Sequence, residues 1–163
     1  MIIFGVDPGT ATTGYGVLEK QGQKLKVLTY GAIITPKEDP NDKRLLTIYN
    51  ALTALLDEYE PDAFAIEKLF FGNNVTTALV VGRTVGVALL AAAQREIPCM
   101  EYRPVEVKLA VAGYGAAEKR QVQLMVQRLL GLQSLPKPDD AADALAIAIC
   151  HAHSSWATVS RAR

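Results

Sequence analysis

Ile2-Ile3-Phe4-Gly5-Val6-Asp7-Pro8-Gly9-Thr10 is a wholly apolar run that stops abruptly at an acid and a glycine turn. A continuous apolar run bounded by turn residues marks a central strand covered on both faces. A carboxylate at the end of such a strand is costly to desolvate unless something pairs with it. Glu67, Asp140 and Asp143 fall in comparable places. Together the four acids suggest a metal-holding cluster.

Working outward, Thr13 to Glu19 and Lys24 to Thr35 read as strands joined by a turn at Gln21-Gly22-Gln23. The short spacing predicts an antiparallel meander with the first strand. Asp39 or Asn41 is placed to cap a helix running to about Tyr59, with Leu45, Leu46, Ile48, Tyr49, Leu52, Leu55 and Leu56 on its apolar side. Ala63-Phe64-Ala65-Ile66 predicts a short buried strand ending at Glu67. A loop, Phe70-Phe71-Gly72-Asn73-Asn74, then leads into a long helix over about Val75 to Arg95. A strand at Cys99 to Tyr102 follows, then a helix from about Pro104 and a break at Gly113-Tyr114-Gly115. A further helix is expected from Ala117 to Leu130, and Asp139 or Asp140 opens a last one to about His151. The pattern predicts an α/β fold: a mixed five-stranded sheet, three strands in a meander and the rest parallel, flanked by helices.

The chain has 163 residues, half of them hydrophobic and 21% charged, which fits one globular domain and excludes disorder. Residues 1–153 are expected to form that domain and 154–163 a flexible tail. The most apolar stretch, Ala78 to Ala93, is interrupted by Arg83 and too short to span a bilayer. With no signal-peptide pattern and no CxxC spacing, a cytoplasmic protein with Cys99 and Cys150 as free thiols is expected. Seventeen basic and seventeen acidic residues balance to zero net charge. That total does not decide for or against a nucleic-acid partner. Asp57, Glu58, Glu60 and Asp62 crowd one connection, and cations bound by the four site acids would leave Lys and Arg dominant on another face.

Parallel neighbouring strands would deliver Asp7 and Glu67 to one sheet edge, where α/β proteins bind ligands. Asp140 and Asp143 are three apart and share one face of a helix near its N-terminus. One cap needs only one carboxylate, and Asp143 is followed by the apolar Ala144-Leu145-Ala146-Ile147-Ala148-Ile149. Four crowded carboxylates raise one another's pKa unless cations sit between them. Oxygen-only ligands suit Mg²⁺ or Mn²⁺. Two such ions, about 3.5–4 Å apart, can activate water and stabilise the leaving oxygen of a phosphodiester displacement. His151 and His153 have no zinc-ligand company and read as polar residues near a helix end, although His151 lies two turns from Asp143.

These motifs resemble the RuvC family of bacterial Holliday-junction resolvases, within the RNase H-like superfamily. The resemblance runs over roughly residues 1 to 153. It rests on Gly5-x-Asp7-Pro8-Gly9 with Thr13-Gly14-Tyr15-Gly16, and on Ala65-Ile66-Glu67-x-x-Phe70-x-x-x-Asn74. It continues through Tyr102, Pro104, Val107-Lys108, Gly113-x-Gly115 and Ala117-Glu118-Lys119-x-Gln121-Val122, and ends in Asp140-Ala141-Ala142-Asp143-Ala144-Leu145-Ala146. Their order and spacing together are specific. Lys68 departs from the pattern, standing where a glutamine is expected after the acid.

The resemblance implies an Mg²⁺-dependent endonuclease, with Mn²⁺ able to substitute and two ions per site, that resolves four-way DNA junctions in recombination and repair. It implies that Asp7, Glu67, Asp140 and Asp143 are the catalytic acids, and that Lys108 and Lys119 lie near the scissile phosphate. Phe70 matches an aromatic that inserts against bases at the opened junction, since an apolar ring can stack on an unpaired base. The Gly82-x-x-x-Gly86 helix packs either on the sheet or on a second subunit, and the resemblance favours a homodimer. A partnership with the RuvA–RuvB branch-migration machine is implied in the same way. Two other readings compete. Asp7-Pro8-Gly9-Thr10 resembles the first phosphate loop of actin-like ATPases, which need a second lobe. A catalytically silent module that holds branched DNA would have no reason to endure four mutually repelling acids.

Overall fold

In the computed structural model, which describes residues 1–69 and 75–154, the meander forms as expected. Strands β1 (Ile2–Asp7), β2 (Thr12–Gln21) and β3 (Lys24–Ile34) pair antiparallel in sequence. Helix α1 (Asn41–Tyr59) leads to β4 (Ala63–Glu67), which adds parallel to β1 on its other side. Helix α2 (Val75–Ala93) leads to β5 (Cys99–Tyr102), parallel to β4. The five strands lie in the order β3-β2-β1-β4-β5. Three helices follow: α3 (Pro104–Ala112), α4 (Lys119–Leu129) and α5 (Asp139–His153).

Side chains alternate across a strand, so each strand feeds two cores. Phe4, Val6, Phe64 and Ile66 point to the layer of α1 and α2, with Phe4 and Phe64 stacked at 5.7 Å. Ile3 and Ala65 point the other way, into the layer of α3, α4 and α5. Asp7 and Glu67 share the parity of Ile3 and Ala65. The pairing of Val6 with Ile66 brings the two acids out side by side at the α5 face.

Helix α5 lies unusually close to the sheet because glycines face it. A Cβ on Gly14 would overlap the Asp140 carbonyl oxygen, and one on Gly5 would overlap the Ala144 carbonyl oxygen. Ala141, Ala144, Ala148 and Ala152 are fully buried on the helix side. Small residues on both surfaces let the helix backbone approach the strands, and this fixes where its acids emerge.

Some helix starts differ from expectation. Asp139 opens α5 as expected, but neither Asp39 nor Asn41 caps α1, and Pro40 and Pro138 hold the N-cap positions of α1 and α5 without a side-chain bond. Proline's fixed φ suits entry to a helix. Helix α4 starts at Lys119 because Glu118 and Gln121 close a reciprocal capping box there, two residues later than Ala117. Cys99 and Cys150 are both free. Among the described residues no helix is long and apolar enough to cross a membrane.

Candidate active site

Asp7 ends β1, Glu67 ends β4, Asp143 sits one turn into α5, Lys108 lies on α3 and Lys119 opens α4. These five line one cleft of about 280 Å³, whose remaining walls include Pro104, Val107, Val122, Ala146 and Ile147. Of these wall residues, Pro104, Val107, Val122 and Ala146 stand in the motifs read from the sequence, where none is given a role in the site, and Ile147 stands only in the apolar run after Asp143. Asp140 does not line the cleft, but its charge still acts on Asp7. Phe70 lies outside the described residues.

The electrostatics of the cleft follow from crowding. Burial pushes the Asp7 carboxyl up from 3.8 to about 7, and the nearby charges of Asp143, Glu67 and Asp140 push it the same way, with Lys119 opposing. Burial, then Asp143, also raises Glu67, while Lys108 and Lys119 hold it down. Lys119 donates to Asp143 Oδ2 from 2.8 Å, and this bond raises the lysine's own pKa. One turn further along α4, Gln123 is buried, and it joins Lys137 in holding the Asp139 carboxyl below its usual range. Lys119 and Gln123, four apart, therefore both face the first turns of α5. Only their spacing in the sequence hinted at this.

Among the described residues, no three His, Cys, Asp or Glu side chains stand close enough together to hold an ion as placed. Asp143 is engaged by Lys119 instead. The chemistry of the donors nevertheless fits a hard divalent cation. The set is oxygen-only, and Asp7 is held in a field where added positive charge is strongly favoured.

His151 stands near the end of α5 as expected, but it is buried. It is 1% exposed and sits in the α5 core, where burial lowers its pKa to about 4. It is also absent from the lining of the cleft.

The family model for the crossover junction endodeoxyribonuclease RuvC matches residues 3–151. The chain belongs to the RuvC family. It is 57% identical over 155 residues to the crossover junction endodeoxyribonuclease RuvC of Chloroflexus aggregans, covering 95% of this chain and 94% of that one. The RuvC of Syntrophomonas wolfei is 56% identical over 154 residues, covering 94% and 90%. The structure of Thermus thermophilus RuvC in complex with a Holliday junction substrate superposes with a TM-score of 0.88 at 38% identity, covering 93% of each chain. A RuvC-family chain with the RNase H-like fold is a DNA-binding endodeoxyribonuclease of recombination and repair, and it depends on divalent metal.

Proposed function

We propose that this chain resolves four-way DNA junctions by hydrolysing phosphodiesters in two strands, with the cleft beside Asp7 as the reaction centre. The observation that carries the reading is the meeting of three acids and two lysines from five separate elements in one cleft. Asp7, Glu67 and Asp143, with Asp140 beside them, are the acids proposed to hold two Mg²⁺ ions, with Mn²⁺ able to substitute. Bound there, the ions would supply an activated water and charge stabilisation for the leaving oxygen.

The chain's own contribution is positioning and charge. Lys108 and Lys119 place two cations where phosphate charge grows in the transition state, and the apolar walls Val107, Val122 and Ile147 make that charge count for more than in water. With its carboxyl raised to about 7, Asp7 is only part ionised near neutral pH until positive charge arrives. Phe70, three residues after the end of β4 in the sequence, is proposed to stack on bases unpaired at the crossover.

Residues 1–153 are proposed to act as one nuclease domain, with 154–163 as a tail. A homodimer fits this reading. Leu79 and Leu90 on α2 are each more than half exposed, and Arg83 and Gly86 between them are exposed as well. A second copy covering that stripe would present two identical sites to a substrate with approximate two-fold symmetry. Action in the cytoplasm beside RuvA–RuvB follows from the same reading.

The test is a panel of synthetic four-way junction, matched linear duplex and RNA–DNA hybrid, each incubated with purified protein. Preferential junction cleavage supports the reading. Junction binding with no cleavage in Mg²⁺ or Mn²⁺ would make the chain a silent binding module.

A further inference from the structure

Tyr102, at the end of β5, touches both acid-bearing halves of the site without lining the cleft. Its backbone pairs in register with Glu67, and its carbonyl accepts the Lys68 N–H at 2.8 Å. Its hydroxyl lies 2.8 Å from His151 Nδ1 and 3.2 Å from Ser154 Oγ, at the far end of the helix that carries Asp143. Ser154 Oγ in turn lies 2.7 Å from the His151 carbonyl oxygen.

The direction of this chain is fixed by counting protons. Ser154 has one hydroxyl proton and donates it to a carbonyl, so its oxygen accepts from Tyr102. Tyr102 then has no proton left for His151, so His151 Nδ1 must be the donor. The imidazole is therefore the neutral Nδ1–H tautomer. Its Nε2 lone pair is the one buried side-chain polar atom without a partner among the described residues. An acceptor left bare in the core costs free energy. That cost is consistent with a ring held for what its other nitrogen does.

We infer that Tyr102 is a positioning residue: through its hydrogen-bond chain to His151 and Ser154 it ties the strand end that presents Glu67 to the helix that presents Asp143. The rest of the α5 seat is mainly apolar contact with β1 and β2, which is non-directional. Lys20 Nζ, donating to the Ala152 carbonyl, anchors the same helix end to β2, in the antiparallel half of the sheet. Tyr102 supplies the directional tie to the parallel half, where Glu67 sits. His151 is eight residues, about 12 Å, along the helix from Asp143. A tilt of roughly 5° would move that carboxylate by about 1 Å, enough to cost up to about 10²-fold in rate.

The inference rests on Asp143 and Glu67 being metal ligands, and its test separates the two claims. Tyr102→Phe keeps the ring and deletes the hydroxyl. In the full-length protein without DNA, Mn²⁺ affinity measured by calorimetry should fall about three- to tenfold, with the protein folded by thermal denaturation. On the junction, kcat should fall about tenfold with KM unchanged, and higher Mn²⁺ should restore part of the rate. His151→Leu should reproduce the defect. His151→Asn, whose amide can still donate to the Tyr102 hydroxyl, should recover most of it and serves if Tyr102→Phe does not fold. Asp143→Asn is the control. If Asp143→Asn loses Mn²⁺ binding while Tyr102→Phe and His151→Leu keep wild-type affinity and kcat, the chain merely supports the fold and the inference fails. If Asp143→Asn binds Mn²⁺ normally, the ligand assignment fails and the inference with it.

Discussion

Replacing Asp7 by asparagine should make the metal-free protein more stable and leave it unable to cut. Asp7 is buried beside three other acids, and its carboxyl is raised from 3.8 to about 7. The folded state therefore binds this proton more tightly than the unfolded chain does. The penalty for ionising Asp7 is absent below about pH 4, grows as pH rises through the window from 3.8 to about 7, and is complete above it. A rise of that size corresponds to roughly 4 kcal/mol as an upper bound. Asparagine removes the charge but leaves a buried polar group, which costs about 1–3 kcal/mol if unpaired. The net gain at pH 8 should be about 1–3 kcal/mol, or about 2–4 °C in Tm for each kcal/mol. The assay is thermal denaturation of wild type and Asp7→Asn in EDTA at pH 4.5 and pH 8. At the lower pH, where the ionisation penalty is nearly absent and the cost of the buried amide remains, the variant should match wild type or be somewhat less stable; at the higher it should be more stable by several degrees. Mn²⁺ should raise the wild-type Tm at pH 8 and leave the variant's nearly unchanged. A variant that is less stable at pH 8, or whose gain is the same at both pH values, would refute the account of strained acids.

The other acids and cations make separable predictions. Glu67→Gln or Asp143→Asn should each abolish cleavage while junction binding persists in a mobility-shift assay, because losing negative charge does not weaken attraction to phosphates; Asp140→Asn, which lies off the cleft wall, should lose less. Lys108→Ala and Lys119→Ala should lower the single-turnover rate more than junction affinity, whereas equal losses with a shallower salt dependence would make them ordinary phosphate contacts. Gly14→Ala places a Cβ against the Asp140 backbone and should cost about 1–3 kcal/mol of stability, with a larger proportional loss of cleavage as α5 is pushed away. Phe70→Ala should slow cleavage of a fully paired junction about tenfold, since a stacked ring returns roughly 1–3 kcal/mol per base, and should recover on a junction mismatched at the crossover.

Much of this architecture is legible in the chain because apolar runs end at acids. The Ile2 to Val6 and Ala63 to Ile66 runs locate two parallel strand ends, and register then sets Asp7 beside Glu67. The path of α5 is less legible. Gly5 and Gly14 stand in strands for the sake of a helix more than a hundred residues away, and no local pattern announces that approach. Asp140 reads as a cap because acids favour that place, yet Pro138 takes it, and Asp140 contributes charge from the first turn. The burial of His151 is not legible, because periodicity fails on a helix buried almost all round. The salt bridge between Lys119 and Asp143 joins two helices whose crossing depends on the whole α3–α4–α5 layer.

The most direct measurement follows a four-way junction, labelled on each strand in turn, through incubation with the full-length protein in Mg²⁺ or in EDTA. The account predicts paired incisions in two opposed strands that yield nicked duplexes, in Mg²⁺ and not in EDTA, with the Asp143→Asn variant bound but uncut. Failure to cut in Mg²⁺ or Mn²⁺, or equal cutting of junction and linear duplex, would contradict it.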